Sequence, residues 1–189
     1  MEQLSENTSF EGEDFSSKDI SGHEFEECEF RSCNFSESDL SISKFIECKF
    51  IECNFSMAKL DRSSWQEVSF LNCKMLGLQF RSVNAFLLAL NFKHCQLDYS
   101  NFEQLKLKNT VFKNCSLLEV DFTQADLSQA NFDSSNLTGA HFENTILEKT
   151  DFRNALGYQF DPELNYIRGA KFSQPDVLAL LAKYQIDVD

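Results

Sequence analysis

Glycine and proline are scarce, with 6 and 2 in 189 residues. That excludes a collagen-like chain and a Pro/Gly-rich linker protein, and 42% hydrophobic residues exclude general disorder. No run approaches the roughly eighteen consecutive apolar residues of a membrane-spanning helix, so no membrane partner is expected. The start, Met1 to Thr8, is polar and acidic and lacks the basic and apolar regions of a signal peptide. A cytoplasmic protein is expected, with its seven cysteines reduced. Positive charge is also scarce: 17 Lys and Arg face 30 Asp and Glu, for a net charge of −13. Such a surface repels nucleic acid and anionic membrane, so partners should be basic or neutral. The imbalance is uneven. Residues 1–60 carry 14 acids and 5 bases, residues 61–120 carry 5 and 7, and residues 121–189 carry 11 and 5.

What is present is a period of five. From Phe10 to Phe80 every fifth residue is bulky and apolar: Phe10, Phe15, Ile20, Phe25, Phe30 and onward through Trp65, Phe70, Met75 and Phe80. The phase then slips by two residues within 81–86. Reading back from the later run, it resumes at Leu87, after which Leu and Phe alternate through Phe92, Leu97 and Phe102 to Phe152. Two residues before each bulky site lies a mostly small one: Cys28, Cys33, Ser38, Ser43, and later Ala125, Ala130, Ser135. The residues between are polar. A period of five fits neither a helix nor a flat strand. It fits a solenoid in which each unit buries its apolar residue against the next coil.

This pattern resembles the pentapeptide-repeat family, written A(D/N)LXX, and appears almost verbatim as Ala125-Asp126-Leu127-Ser128-Gln129 followed by Ala130-Asn131-Phe132-Asp133-Ser134. The resemblance implies an all-β fold, a right-handed quadrilateral β-helix with four repeats per coil. The recurrence of Ile20, Leu40 and Leu60 supports a stacking interval of 20. The expected organisation is a tail over 1–7, the β-helix over 8–156, and a capping and dimerisation segment over 157–189. About seven coils at the strand spacing of roughly 4.8 Å give a rod on the order of 35 Å long.

All seven cysteines (28, 33, 48, 53, 73, 95 and 115) fall at the small position. Stacks of Cys28 with Cys48, of Cys33 with Cys53 and Cys73, and of Cys95 with Cys115 are expected, all unpaired. Their spacings are not those of a zinc site. His23, His94 and His141 complete no catalytic motif, and no Gly-rich phosphate loop occurs. Neither catalysis, a metal nor a cofactor is expected.

Beyond the repeat, Ser173-Gln174-Pro175-Asp176 reads as an α-helix start, with Ser173 as N-cap. Val177, Leu178, Leu180, Leu181 and Tyr184 follow at helical spacing, and Ile186 and Val188 alternate like a short strand. These seven residues are the expected homodimer interface. With Asp161-Pro162-Glu163-Leu164-Asn165 and Lys171-Phe172, the segment looks like the ends of the topoisomerase-protecting members of the family: the Qnr and MfpA proteins and the microcin immunity protein. That resemblance implies a C-terminal homodimer whose rod binds DNA gyrase or topoisomerase IV in place of DNA and shields it from a toxin or quinolone-type inhibitor. One departure is that the chain has no room for the long protruding loops on which several Qnr proteins rely. The alternative is a general protein-interaction scaffold with no topoisomerase link.

Indexing by 20 places Ile20, Leu40, Leu60, Phe80, Phe102, Phe122 and Phe142 on one side. Residues flanking an inward residue point outward. That side then presents Asp19, Asp39, Asp61, Glu103, Asp121 and Glu143 against only Lys59 and Arg81, and it is the expected partner-binding face. The side of Phe30, Phe50 and Phe92 mixes acids with Arg31, Lys49, Lys93, Lys113 and Arg153.

Overall fold

The computed structural model describes residues 4–174 and 176–187. The chain winds into a parallel β-solenoid whose strands are only three or four residues long. One side is the sheet β1 (Leu4–Glu6), β3 (Glu24–Glu26), β5 (Lys44–Ile46) and β7 (Ser64–Gln66). An adjacent side is six-stranded: β2 (Ser9–Glu11), β4 (Glu29–Arg31), β6 (Lys49–Ile51), β8 (Val68–Leu71), β9 (Leu90–Lys93) and β10 (Val111–Lys113). Single parallel bridges such as Asp14↔Asn34↔Asn54 and Asp19↔Asp39 build the other two sides.

Each rung repeats the same local logic. The bulky residue turns inward and its amide donates to the coil above, as Phe35 N to Asn54 O at 2.6 Å. The residue two positions later turns the corner with φ between about +50° and +70°, from Asn7 to Asn154. That left-handed conformation strains any residue with a Cβ, and the ladder holds it at corner after corner, the 3₁₀ turn at Phe80–Ser82 excepted. The small position sits under the corner, and its side chain returns to the coil below. Ser43 Oγ donates to Ile20 O at 2.9 Å, Thr145 Oγ1 to Phe122 O at 3.0 Å, and Cys48 Sγ to Phe25 O at 3.3 Å. A short polar group there is buried without loss because its one donor is satisfied.

The interior is solid. Phe10, Phe30, Phe50, Phe70, Phe92, Phe112, Phe132, Phe152 and Phe172 form one column of near-parallel rings, with centroids 4.7 to 5.3 Å apart. Such offset stacks add to the burial of each ring. The stacking continues past residue 156, where Tyr166 and Lys171 bridge to Ile146 and Asp151.

The phase slip is local. Strand partners differ by 20 as far as Ile51↔Leu71, by 22 at Val68↔Leu90, and by 20 again at Asn91↔Val111. A 3₁₀ turn over Phe80–Ser82 leads in, and Asn84 still bridges Ser64. Ala89 then donates to Trp65 O at 3.1 Å, and Leu88 packs on the core. Leu87 is not the inward residue its spacing suggests. It occupies a left-handed corner at φ 56° and is 61% exposed beside Phe86 at 69%. The extra residues leave as an outward loop because the bridge at Asn84 and the burial of Leu90 fix the chain on either side.

The C-terminal helix spans Asp176–Tyr184 and is wound as a 3₁₀ helix rather than an α-helix. Three residues per turn put Val177, Leu180 and Lys183 on one side, so two apolar residues meet the rod while the lysine reaches Asp161 and Glu163. Ser173 is not an N-cap through its hydroxyl, which accepts from Asn154 N at 3.1 Å. Pro175 and Val188 lie outside the described residues.

Candidate partner-binding face

The inward residues Ile20, Leu40, Leu60, Phe80, Phe102, Phe122 and Phe142 are all buried. Their flanking residues form two outward columns. The preceding column runs Asp19, Asp39, Lys59 and then, across the slip, Gln79, Asn101, Asp121 and His141 as bridged neighbours. Asp61, Arg81, Glu103 and Glu143 occupy the following column. The six candidate acids are therefore split three and three across one side.

The two columns differ in chemistry. An acid immediately before an inward residue also shapes the backbone: Asp19 Oδ1 accepts from Ser21 N at 3.0 Å, Asp39 from Ser41 N at 2.9 Å, and Asp121 from Thr123 N at 2.8 Å. This Asx arrangement satisfies the bend from the side chain, and it recurs at Asn34, Asn54 and Asn131 on other sides. Hydrogen bonds from Ser21 hold the Asp19 carboxyl below its ordinary range. In the following column, Glu103 is tied to Arg81 at 3.2 Å. Asp61 and Glu143 have no ion-pair partner among the described residues. Asp121 and Glu143 share the rim of a shallow dent of about 270 Å³ with Asp161, a third acid that the period of five does not reveal.

A further acidic ladder lies at a corner. Glu27, Glu47 and Glu67 follow Phe25, Phe45 and Trp65 by two residues, have φ of 50°, 53° and 54°, and are exposed on successive coils. The signal was present in the corner slot read at intervals of 20.

Residues 84–156 match the family model described as a pentapeptide repeat region. No curated protein matches the chain. Among solved structures, a trypsin-treated variant of QnrB1, a plasmid-mediated fluoroquinolone resistance protein, is 25% identical with a TM-score of 0.49, covering 99% of this chain and 92% of that one. HetL, a pentapeptide repeat protein involved in heterocyst differentiation regulation in the cyanobacterium Nostoc, is 18% identical with a TM-score of 0.39, covering 92% and 90%. A pentapeptide repeat protein from the Arabidopsis thaliana thylakoid lumen is 14% identical with a TM-score of 0.30, covering 71% and 68%.

All seven cysteines are free and buried. Cys33, Cys53, Cys73, Cys95 and Cys115 form one continuous column across the slip, not separate stacks, because the 22-residue step carries Gln96 over Lys74. Burial pushes the Cys48 thiol up to about 12 and raises Cys33. Along this column the thiols donate to backbone carbonyls: Cys53 Sγ to Phe30 O and Cys73 Sγ to Phe50 O at 3.4 Å, Cys95 Sγ to Lys93 O at 3.3 Å, and Cys115 Sγ to Lys113 O at 3.4 Å. Among the described residues no cluster of His, Cys, Asp or Glu is placed to hold a metal ion, and no helix is long and apolar enough to cross a membrane.

The candidate dimer residues divide. Leu180 is buried and Val177 packs on the core, so both cap the rod. Leu181 is half-buried, while Leu178, Tyr184 and Ile186 are 41%, 52% and 55% exposed. Lys183 Nζ clamps the helix by donating to Asp161 at 2.7 Å and Glu163 at 2.9 Å, and the Tyr184 hydroxyl donates to Glu163 at 3.1 Å. These bonds hold both carboxyls below their ordinary range and Lys183 above its own.

Proposed function

We propose that this chain is a non-enzymatic DNA mimic that binds a type II topoisomerase, DNA gyrase or topoisomerase IV, where DNA would lie. It would thereby protect that enzyme from a toxin or quinolone-type inhibitor. The observation that carries this reading is the pair of outward columns on a rod with a solid interior. Carboxylates at Asp19, Asp39, Asp61, Glu103, Asp121 and Glu143 rise at intervals set by the coil. A strand spacing of roughly 4.8 Å is close enough to the roughly 3.4 Å phosphate repeat of one DNA strand for a basic, DNA-tracking groove to engage several at once. Charge-assisted contacts of this kind steer association and strengthen it. The exposed Leu178, Tyr184 and Ile186 support a homodimer through the C-terminus, which would double the length of the acidic rod. A topoisomerase partner places the protein in the cytoplasm.

The test is gyrase binding and supercoiling by purified components. Asp121→Asn with Glu143→Gln removes two charges, while the new amide at the first position keeps an oxygen to accept from Thr123 N. Binding should weaken by at least about tenfold at low salt, the scale of a few lost charge contacts, with the melting temperature nearly unchanged. Parent protein that neither binds gyrase nor alters supercoiling would leave the interaction-scaffold reading.

A further inference from the structure

Two sides round the rod from the acidic columns, the six-stranded sheet carries a different chemistry. Ile51 on β6 and Leu71 on β8 are register partners that both face outward, and Leu71 is 37% exposed. With Val111 on β10 they floor a shallow depression of about 410 Å³. Its rim holds Lys49 and Lys93, both exposed. The flanking cations are already paired, Arg31 with Glu29 at 2.6 Å and Lys113 with Asp133 at 3.2 Å. Among the described residues, no carboxylate lies within ion-pair reach of Lys49 or Lys93. On a chain of net charge −13, two unpaired cations astride an exposed aliphatic floor form a local surface of opposite sign.

We infer that this depression docks an extended acidic peptide segment, with two carboxylates four residues apart and one aliphatic side chain midway between them. Charge complementarity fixes the ends of that motif, and the floor fixes its centre. Lys49 and Lys93 lie two rungs apart along the axis and two residues apart across the sheet, about 12 Å from the strand dimensions. Four residues of an extended peptide span about 13 Å, and residues i, i+2 and i+4 share one face. An Asp-x-Leu-x-Asp segment thus sets each carboxylate at a lysine and its leucine over Ile51 and Leu71. Nucleic acid is the poorer occupant: its dense charge meets only two free cations and a strongly negative remainder, and it offers no aliphatic group to the floor. This surface is independent of the topoisomerase reading.

The experiment is fluorescence anisotropy of a fluorescein-labelled Gly-Ser-Asp-Ser-Leu-Ser-Asp-Ser-Gly peptide against the full chain. At about 50 mM salt the peptide should bind saturably, and binding should fall at about 0.5 M, where the screening length shrinks to a few ångströms. Lys49→Glu with Lys93→Glu should weaken it at least about fivefold, the loss of two partly exposed ion pairs. Lys59→Glu, on the far side, should leave it unchanged, as should the melting temperature of all three variants. Replacing the peptide leucine with serine should also weaken binding. Absence of saturable binding, or equal weakening by Lys59→Glu, overturns the assignment. Sedimentation of the unlabelled protein is the second arm: self-association abolished by Lys49→Glu with Lys93→Glu would give the depression to a second copy and overturn it as well.

Discussion

Cys73 and Cys95 occupy successive rungs of one thiol column although 22 residues separate them, and Gln96 N donates to Cys73 O at 2.9 Å. This column therefore does not register the phase slip: the extra residues leave through the loop at Ala85–Leu87 on the Trp65 side.

The loop yields the first prediction. Phe86→Ser with Leu87→Ser should change stability by no more than about 0.5 kcal/mol, as for surface positions, because both residues are exposed. Leu90→Ala should cost about 2–5 kcal/mol by opening a cavity beside its register partner Val68. Chemical denaturation of the two variants compares them directly. A costly loop variant beside a harmless Leu90→Ala would restore Leu87 to the interior.

Phe112 is the second. Its ring lies 5.2 Å from Phe92 and 5.1 Å from Phe132, nearly parallel to both, and it is fully buried. Phe112→Ala should cost about 3–5 kcal/mol, read from the denaturation midpoint at unchanged slope. A shift no larger than that of a surface substitution would contradict the stack.

Thiol chemistry supplies the third. Native protein near pH 8 should resist alkylation, and denatured, unreduced protein should yield seven modified thiols, since all seven cysteines are free and buried. The pH effect has a defined sign. Cys48 is raised from 9.0 to about 12, so the folded state holds its proton where the unfolded state has released it. Its contribution is intact below pH 9.0 and is lost as pH rises toward 12. Cys48→Ala should flatten the alkaline fall in stability measured between those limits.

The fourth concerns assembly. Leu178→Asp with Ile186→Asp should convert a dimer to a monomer in sedimentation, with little change in melting, because both side chains are exposed and neither belongs to the Lys183–Tyr184 clamp. Leu180→Ala should lower the melting temperature and leave assembly alone. A double variant that still sediments as a dimer would move the interface elsewhere.

Much of this was legible in the chain. Phe10 through Phe152 announce their column because burial at a fixed interval is a property of side-chain type, which the sequence displays. Asp19, Asp39 and Asp121 could be placed on one side, yet their turn-forming bonds to Ser21, Ser41 and Thr123 could not, since any polar residue would satisfy the same pattern. Leu87 misled because the alternation of Leu and Phe extrapolates back to it. Only the bridge of Asn84 to Ser64 shows that the chain has already left the core. Glu27, Glu47 and Glu67 escaped notice because their slot tolerates many residues, and its left-handed backbone is imposed by the ladder and not by residue preference.

The in-register stacking of residues 20 apart makes length a separable variable. Excising 117–136 would join Ser116 to Leu137, which takes the place of Leu117, and every column would close up by one rung. The rod would shorten by roughly 4.8 Å with its four sides still in phase. Such a chain works as a ruler graduated in single coils, so the distance between its acidic end and its partner's far contacts can be reset without redesigning any surface.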